Sequence, residues 1–460
     1  MNLEEYISKK YSNNPMWFVQ ELSSYENQSR ITDTQAIKEY LDGHHKILNR
    51  PNYKYNGQVV EPRKIVIQMA KTILNFKTQY LLKNPVQFIG QKRMVEKFIK
   101  INKLGRFDDK NEKILNRMLK FGQVAEYIYI NSKGQIDSKI INADNGTPVF
   151  NNYGEMIGFI EHYIFDGITY YVIYTDTYVQ EWNDEGTELH MTGAYPNLSG
   201  LPVLYKTEDE FSDTKGRSEL KDYTGILDSM EDVLSKYVDS MYKFMNPIPV
   251  VSGQQLKDSL PQDIVGGGIN LDDGSDFKMV SNELDSASFE LVYKTLQQTL
   301  LDVSSTPAVS MNKTDISNLS EVSIKLLFSL ADTSAGTTEN YLINGFYERW
   351  ERVVRLLSYK GEKISDNAMA SLDFKFHYNT PANHKEVIEN MKTQYDMGAI
   401  STETILEQSP YINDVANELL RLKSEKVEHE GSVETDTNAN TTIDANSNGE
   451  DDEKMNNDSE

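Results

Sequence analysis

The chain has 460 residues, 38% of them hydrophobic, with 27 Tyr, 17 Phe and 3 Trp, which is enough for substantial cores and two or three domains. Its formal charge is −23, of which eleven acids against Lys454 place −10 between Val427 and Glu460, leaving −13 on the other residues. An acidic body argues against gripping nucleic acid through clustered Lys and Arg, though it allows nucleic acid to slide past. The absence of Cys excludes disulfides, thiolate nucleophiles and Cys-based zinc sites.

The N-terminus, MNLEEYISKKYSNNPMW, has no apolar core of signal-peptide length, and no run of 18 apolar residues occurs. A soluble, non-secreted protein without a membrane span is expected. Residues 1–45 read as helical and polar, with Thr32 or Asp33 as an N-cap within TDTQAIKEYL. In 61–82, Ile65, Met69, Ile73, Phe76 and Tyr80 recur at helical spacing until Asn84-Pro85 ends the run. A short helix is expected over 108–121. The Lys/Arg-dense EPRKIVIQMAK and GQKRMVEKFIKINKLGR (90–106) read as helices whose lysine stems lie along a solvated face.

After Gly122 the pattern changes to β-branched and aromatic runs: VAEYIYI, SKIINA, TPVFNN, MIGFIEHYIF, ITYYVIYT and TYVQEWN. The turn clusters NSKG, ADNG, NNYG, FDG and NDEG separate them, so an antiparallel β-rich unit is expected over about 123–192, closed by a strand in LPVLYKTEDE at 201–210.

From Gly216 to Asn246 the chain reads as one long helix. Leu220, Tyr223, Leu227, Met230, Leu234, Tyr237, Met241 and Phe244 step 3-4-3-4-3-4-3, an unbroken heptad seam of the kind that packs helices side by side. At ~1.5 Å per residue it would span about 45 Å. Asn246-Pro247-Ile248-Pro249 stops it. Residues 250–281 form a small α/β segment with Gly266-Gly267-Gly268 and two short strand candidates. A second helix over 286–304 has Phe289, Val292, Leu296, Leu300 and Val303 on one face. A hydroxyl-rich stretch, VSSTPAVSMNKTDISNLSEVS (303–323), precedes a third long helix over 320–359, whose small, polar ADTSAGTTEN predicts a bend or looser packing. LDFKFHYN (372–379) alternates as a strand, and helices over 384–398 and 402–426 meet around Gly398, with Ser401 as N-cap. From 427 the composition is that of a disordered acidic tail.

Catalytic motifs are missing. There is no P-loop, no G-x-S-x-G and no H-E-x-x-H. The seven His (44, 45, 162, 190, 377, 384 and 429) are scattered, and the adjacent His44-His45 reads as a solvated loop end. Asp272, Asp273 and Asp276 around Gly274 lack the calcium-loop register, so a turn is the better reading. No metal or cofactor site is expected.

The order of elements resembles the portal proteins of tailed double-stranded DNA bacteriophages. DGHHKILNR (42–50) and NFKTQYLLKNPVQF (75–88) resemble that family's N-terminal region. LPVLYKTEDEFSDTKGRSELKDYTGILDSMEDVLSKYVDSMYKFMNPIPVVSG (201–253) resembles its strand and first stem helix, and MGAISTETILEQSPYINDV (397–415) a stretch near its C-terminus. The resemblance runs to about residue 426. It departs at Ser320-Glu321-Val322-Ser323, where many members start the next helix with a Ser-Gly-x-Ala-like sequence.

The resemblance implies an α+β portal-type subunit. Residues 1–215 would be the N-terminal wing region, 216–246 the first stem helix, 247–285 the clip and 286–304 the second stem helix. Residues 305–319 would be a tunnel loop, 320–383 a long wing helix and strand, 384–426 a helical crown and 427–460 the tail. The heptad seam would pack subunits into a homo-oligomeric ring of about twelve copies. Met311, Asn312, Lys313 and Thr314 would face DNA in the channel, Lys313 toward phosphate and Asn312 and Thr314 as neutral donors. Implied partners are double-stranded DNA, the terminase large subunit, a head-completion or adaptor protein, and the major capsid and scaffolding proteins. The location would be the portal vertex of the virion, after assembly in the host cytoplasm. Two other readings stand beside it: a metal-dependent hydrolase or nuclease using clustered carboxylates, and a non-viral coiled-coil scaffold.

Overall fold

In the computed structural model of the chain, the described residues are 1–55, 58–186, 188–244, 248–253, 274–280, 285–308, 320–381, 384–409, 411–412, 415, 418–419, 421–422 and 424–425. Contacts divide the chain into two units, Met1–Thr314 with Lys325–Thr380, and Asp315–Ile324 with Pro381–Glu460.

The first unit opens with α1 (Leu3–Tyr11), where the Asn2 side chain accepts from the Glu5 amide at 2.9 Å and the charges oppose the helix dipole at both ends. Helices α2 (Trp17–Leu22) and α3 (Tyr25–Asp42) follow. The expected cap at Thr32 or Asp33 lies inside α3 and is corrected to Ser24. Thr32 and Thr34 turn their hydroxyls back to the carbonyls of Gln28 and Arg30, each at 2.9 Å, so a polar stretch that looked like a start is accommodated mid-helix. A 3₁₀ turn (Lys46–Asn49) and the hairpin β1 (Tyr53–Tyr55) and β2 (Gln58–Val60) lead to α4 (Met69–Leu82). The helix expected from 61 thus begins only at Met69, and the residues before it are not helical.

Next come β3 (Gln87–Ile89), α5 (Lys92–Gly105) and α6 (Phe107–Phe121). α5 buries Met94 and Phe98 and leaves Lys97 and Lys100 outside its core face. Gly122, at φ 82°, ends α6.

The β-rich region holds β4 (Gln123–Ile130), β5 (Ile136–Ile141), β6 (Gly146–Phe150), β7 (Met156–Phe165), β8 (Ile168–Tyr174), β9 (Tyr178–Asn183), β10 (His190–Pro196) and β11 (Val203–Lys206). They form two antiparallel sheets, ordered β10-β9-β8-β7-β6 and β11-β4-β5. Both faces of the larger sheet are covered. Ile160 and Ile173 meet Leu3, Trp17, Phe18 and Leu22, while Phe159, Val172 and Tyr174 meet Ala125 and Ile141 of the smaller sheet. The alternation of adjacent residues between two apolar environments is why these strands read as nearly continuous hydrophobic runs. Strand β10 was not anticipated. It contains Gly193 and Pro196, its register shifts between Met191 and Gly193, and most of it is exposed, as an edge strand allows.

The chain then enters α7 (Leu220–Phe244), β12 (Ile248–Ser252), β13 (Asp276–Val280), α8 (Ser286–Val303), α9 (Glu321–Tyr359), α10 (Asp366–Met369) and β14 (Asp373–Lys375). Strands β12 and β13 pair antiparallel, and β14 pairs with β3 far back in the chain. Gly266–Gly268 and Asp272-Asp273 lie outside the described residues.

α9 runs as one unbroken helix of 39 residues through ADTSAGTTEN. The small residues face α4: Ala331, Ser334, Ala335 and Thr338 line a narrow seam with Phe76, Lys77 and Tyr80. Tyr80 stacks on Phe328, with ring centroids 5.8 Å apart. Further along, Trp350 stacks on Phe98 at 4.2 Å. The neighbouring Arg349 is 1% exposed and donates to Glu126 Oε2 at 2.7 Å and Asn111 Oδ1 at 2.5 Å. Glu126 also accepts from Tyr205 at 2.8 Å and Ser138 at 2.5 Å. Burial alone would lower the Arg349 guanidinium; the charge of Glu126 and the hydrogen bonds around it outweigh that and raise it. This network ties α9 to α6 and to all three strands of the smaller sheet.

The second unit holds α11 (His384–Asp396) and α12 (Thr402–Gln408). Gly398 takes φ 71°, and the Ser401 hydroxyl accepts from the Thr404 amide at 3.2 Å, as expected of this junction. α12 ends at Gln408, with Pro410 two residues on, and the described residues at 415, 418–419, 421–422 and 424–425 are helical again, so the helix expected over 402–426 is interrupted at the proline. Residues 427–460 lie outside the described residues.

Candidate functional site: the α7–α8 helical pair

The start of α7 is fixed by a crowded junction. Ser218 is buried and gives its hydroxyl to the Lys120 carbonyl at 2.5 Å, and that same oxygen accepts from the Leu220 amide at 3.2 Å. Beside it the Thr207 amide donates to the Gly122 carbonyl at 2.9 Å. A Cβ on Gly216 would meet the Gly122 carbonyl oxygen at 1.9 Å, so only glycine lets the two backbones approach this closely.

From this anchor the heptad seam divides into two parts. Leu220, Tyr223, Leu227 and Met230 are between 0 and 2% exposed within the single chain. They pack the subunit's own core, which corrects their assignment to a seam between subunits. The physical reason is that α4 and the 3₁₀ turn already lie against this helix. In the second half, Leu234 and Tyr237 are half-buried and Met241 is 44% exposed. Tyr237 stacks on Phe289 of α8, with centroids 3.7 Å apart and planes 13° from parallel. The Phe244 side chain lies outside the described residues.

On α8 the Asp285 side chain caps the helix by accepting from the Ser288 amide at 2.9 Å, and its hydrogen bonds with Ser288 hold its carboxyl below the usual range. Leu300 and Leu301 are buried, but Leu291 is 69% exposed, and Val292 and Val303 each 47%. The face expected from Phe289, Val292, Leu296, Leu300 and Val303 is therefore covered at its C-terminal leucine and open at both valines.

The same helix carries a polar feature that the sequence reading missed. Glu231 and Ser235 are fully buried and Asp239 nearly so. Each captures a backbone amide of the non-helical segment before α4: Ile67 to Glu231 Oε1 at 2.7 Å, Ile65 to Ser235 Oγ at 3.0 Å, and Arg63 to Asp239 Oδ1 at 2.9 Å. Four residues of helix advance about 6.0 Å and two residues of extended chain about 6.6 Å. The two repeats therefore stay in register for three rungs. This is why 61–67 does not join the helix that its apolar spacing predicted: its donors are satisfied in extended form.

His45 completes the ladder: His44 is exposed, as expected of a solvated end, but for His45 that reading is corrected. Its side chain is inaccessible, with Nδ1 2.6 Å from Glu231 Oε1 and Nε2 2.9 Å from the Tyr40 carbonyl. Both ring nitrogens thus face oxygen acceptors. The imidazole stacks on Tyr40 at 3.9 Å. Arg50 closes the far end on Asp239 Oδ2 at 3.0 Å. A readable signal existed for the extended segment, because Ile65-Val66-Ile67 is a run of β-branched residues. For Glu231, Ser235 and Asp239 there was none, since polar residues four apart on a helix read as a solvated face.

Among the described residues, no group of three His, Asp or Glu side chains converges to hold a metal ion. No helix among them is long and apolar enough to cross a membrane. Met311, Asn312, Lys313 and Thr314 lie outside the described residues.

The described residues form a mixed helix and strand chain with long paired helices and a β-rich body. A family model described as phage portal protein, SPP1 Gp6-like, matches residues 20–432, and the chain belongs to that family. The portal protein of Bacillus phage SPP1 is 21% identical over 387 residues, covering 77% of this chain and 74% of that protein. Among solved structures, a chain in the neck of an empty GTA particle with C6 symmetry overlaps at a TM-score of 0.45 and 12% identity, covering 74% of this chain and 88% of that one. One in the neck of a native GTA particle with C12 symmetry overlaps at 0.43 and 13% identity, with the same coverage. The chain is a phage portal protein, a structural connector component of the virion. The alternative reading as a hydrolase or nuclease has no support.

Proposed function

We propose that copies of this chain close into a ring of about twelve at one capsid vertex, with double-stranded DNA passing through the central channel during packaging and ejection. The observation that carries the assembly is the open apolar face of the α7–α8 pair: Leu291, Val292, Val303 and Met241 are all more than 40% exposed in the single chain. Burying each such side chain against a neighbour contributes about 1.5–3 kcal/mol, so repetition around a closed ring favours assembly strongly. On this reading α7 and α8 are the stem, 247–285 the clip, the N-terminal helices and β-rich body the wing, and 384–426 the crown. The clip would dock the terminase large subunit and then a head-completion or adaptor protein. The rest of the ring would meet the major capsid and scaffolding proteins, with assembly in the host cytoplasm.

Lys313, flanked by Met311, Asn312 and Thr314, is proposed to meet DNA phosphate. One lysine in a polar stretch touches the backbone without the strong retention that many would impose through counterion release.

Native mass spectrometry with negative-stain imaging tests the ring. A ring of about a dozen copies is expected for the unaltered protein. Leu291→Asp or Met241→Asp should weaken assembly at least tenfold while circular dichroism stays unchanged, since each change buries a charge at a subunit contact. Rings that persist in both variants would sink the stem assignment. Lys313→Ala should leave the ring intact and alter DNA packaging; loss of the ring would place that residue in a subunit contact instead.

A further inference from the structure

An open groove of about 1080 Å³ lies between α3, α4 and α6. Its floor is α6, on which Lys113, Arg117 and Lys120 share one face at spacings of four and three. Lys38 enters from α3, and Asn116 and Asn142 add neutral hydrogen-bonding groups. Lys38 has a counterion, Asp144 Oδ2 at 2.5 Å. Arg117 and Lys120 are different. Both are only half-exposed, yet among the described residues neither side chain has a hydrogen bond or an ion pair.

A half-buried cation without a counterion is costly, and two side by side repel as well. Burial lowers the Arg117 guanidinium, only partly offset by the charge of Asp144. Burial also lowers the Lys120 ammonium, and the positive charges of Lys71 on α4 and of Arg117 lower it further. No acid within the described residues resolves this conflict. Of the acids that line the groove, Asp109 and Glu112 stand on the first turns of α6, ahead of Arg117 and Lys120, and Glu112 already accepts from Gln79 at 3.2 Å.

We propose that the basic end of this groove, formed by Arg117 and Lys120 with Asn116 beside them, binds a compact phosphate-type anion. A guanidinium fork and an ammonium on adjacent turns match the several acceptor oxygens of a phosphate group. The acids lining the groove favour a compact anion over a long polyanion, because a nucleic-acid backbone laid along it would meet Asp42, Asp109 and Glu112. The phosphate could be carried by a small molecule or by a nucleic-acid terminus, and two probes separate these sources.

The test follows thermal unfolding of the full chain in inorganic phosphate against chloride at matched ionic strength, with anisotropy of a labelled short DNA duplex as the second arm. Phosphate should raise the melting temperature of the unaltered protein. Arg117→Gln and Lys120→Gln should each weaken the apparent phosphate affinity about tenfold or more, the loss of one charge-assisted hydrogen bond. Lys100→Gln, the same charge change at an exposed position of α5, should leave it unchanged. Phosphate binding with no duplex binding assigns a small-molecule source. Duplex binding lost in the same two variants assigns a nucleic-acid phosphate. A phosphate response that is absent, or equal in all three variants, overturns the proposal. Circular dichroism of each variant separates lost binding from lost folding.

Discussion

Glu231→Ala probes the polar ladder most directly. The substitution removes the acceptor of two donors at once, the Ile67 amide at 2.7 Å and His45 Nδ1 at 2.6 Å, in a place where both the Glu231 and His45 side chains are inaccessible to water. Leaving a buried donor unsatisfied costs about 1–3 kcal/mol, so two cost about 2–6 kcal/mol. The cost should appear locally first, because the non-helical segment before α4 is held to α7 by three such rungs. Hydrogen exchange read by mass spectrometry over residues 61–68 measures it without assuming two-state unfolding of a multi-part chain. At 1.4 kcal/mol per tenfold, protection should fall by roughly 30-fold to 10⁴-fold. Glu231→Gln keeps the Oε1 acceptor that both donors share, so it should lose clearly less protection than Glu231→Ala. A double cycle with His45→Ala should show coupling, because the two residues share one bond. Protection changed by less than about fivefold in Glu231→Ala would refute the reasoning, since it would mean that water or another group replaces the carboxylate at little cost.

Two further predictions concern the body of the first unit. A Cβ on Gly345 would lie 2.3 Å from the ring of Tyr205, which is fully buried and donates to Glu126. Gly345→Ala should therefore destabilise the fold by about 1–3 kcal/mol in urea denaturation, despite the higher helix propensity of alanine; a neutral or stabilising result would show that the ring can retreat. The second prediction is a pH effect at Glu21. Burial pushes its carboxyl up, but hydrogen bonds from Tyr11, Lys10 and Tyr6 and the charge of Lys10 outweigh this and hold it below the usual range. A lowered folded value contributes stability that is present above the unfolded carboxylate pKa of about 4.3 and lost as pH falls through the folded one. Protection of α1 should drop below about pH 4 in the native protein, and Glu21→Gln should flatten that dependence. An unchanged acid profile in the variant would assign the loss to other carboxylates.

How much of this was legible follows from the range of each interaction. The strands β4 to β9 and β11 could be read because both faces of the larger sheet are apolar and turn residues punctuate the runs. Periodicity marked α7 and α8, and the Ser401 cap was visible because capping involves only neighbours three residues apart. Strand β10 was hidden, since an exposed edge carries little hydrophobic signal.

By itself the sequence determined the order of elements, the absence of cysteine chemistry, the long helical seam and, through its resemblance, the portal family. Tertiary structure decided what those elements touch. A heptad pattern states that a face is buried but not by which partner, and only the packed chain assigns Leu220 through Met230 to the subunit's own core and leaves Leu291 and Val292 open. Likewise, a carboxylate four residues from a serine reads as a solvated face until a distant extended segment places its amides in register with that helix. Then the low-dielectric interior turns three ordinary polar residues into the brace of α7.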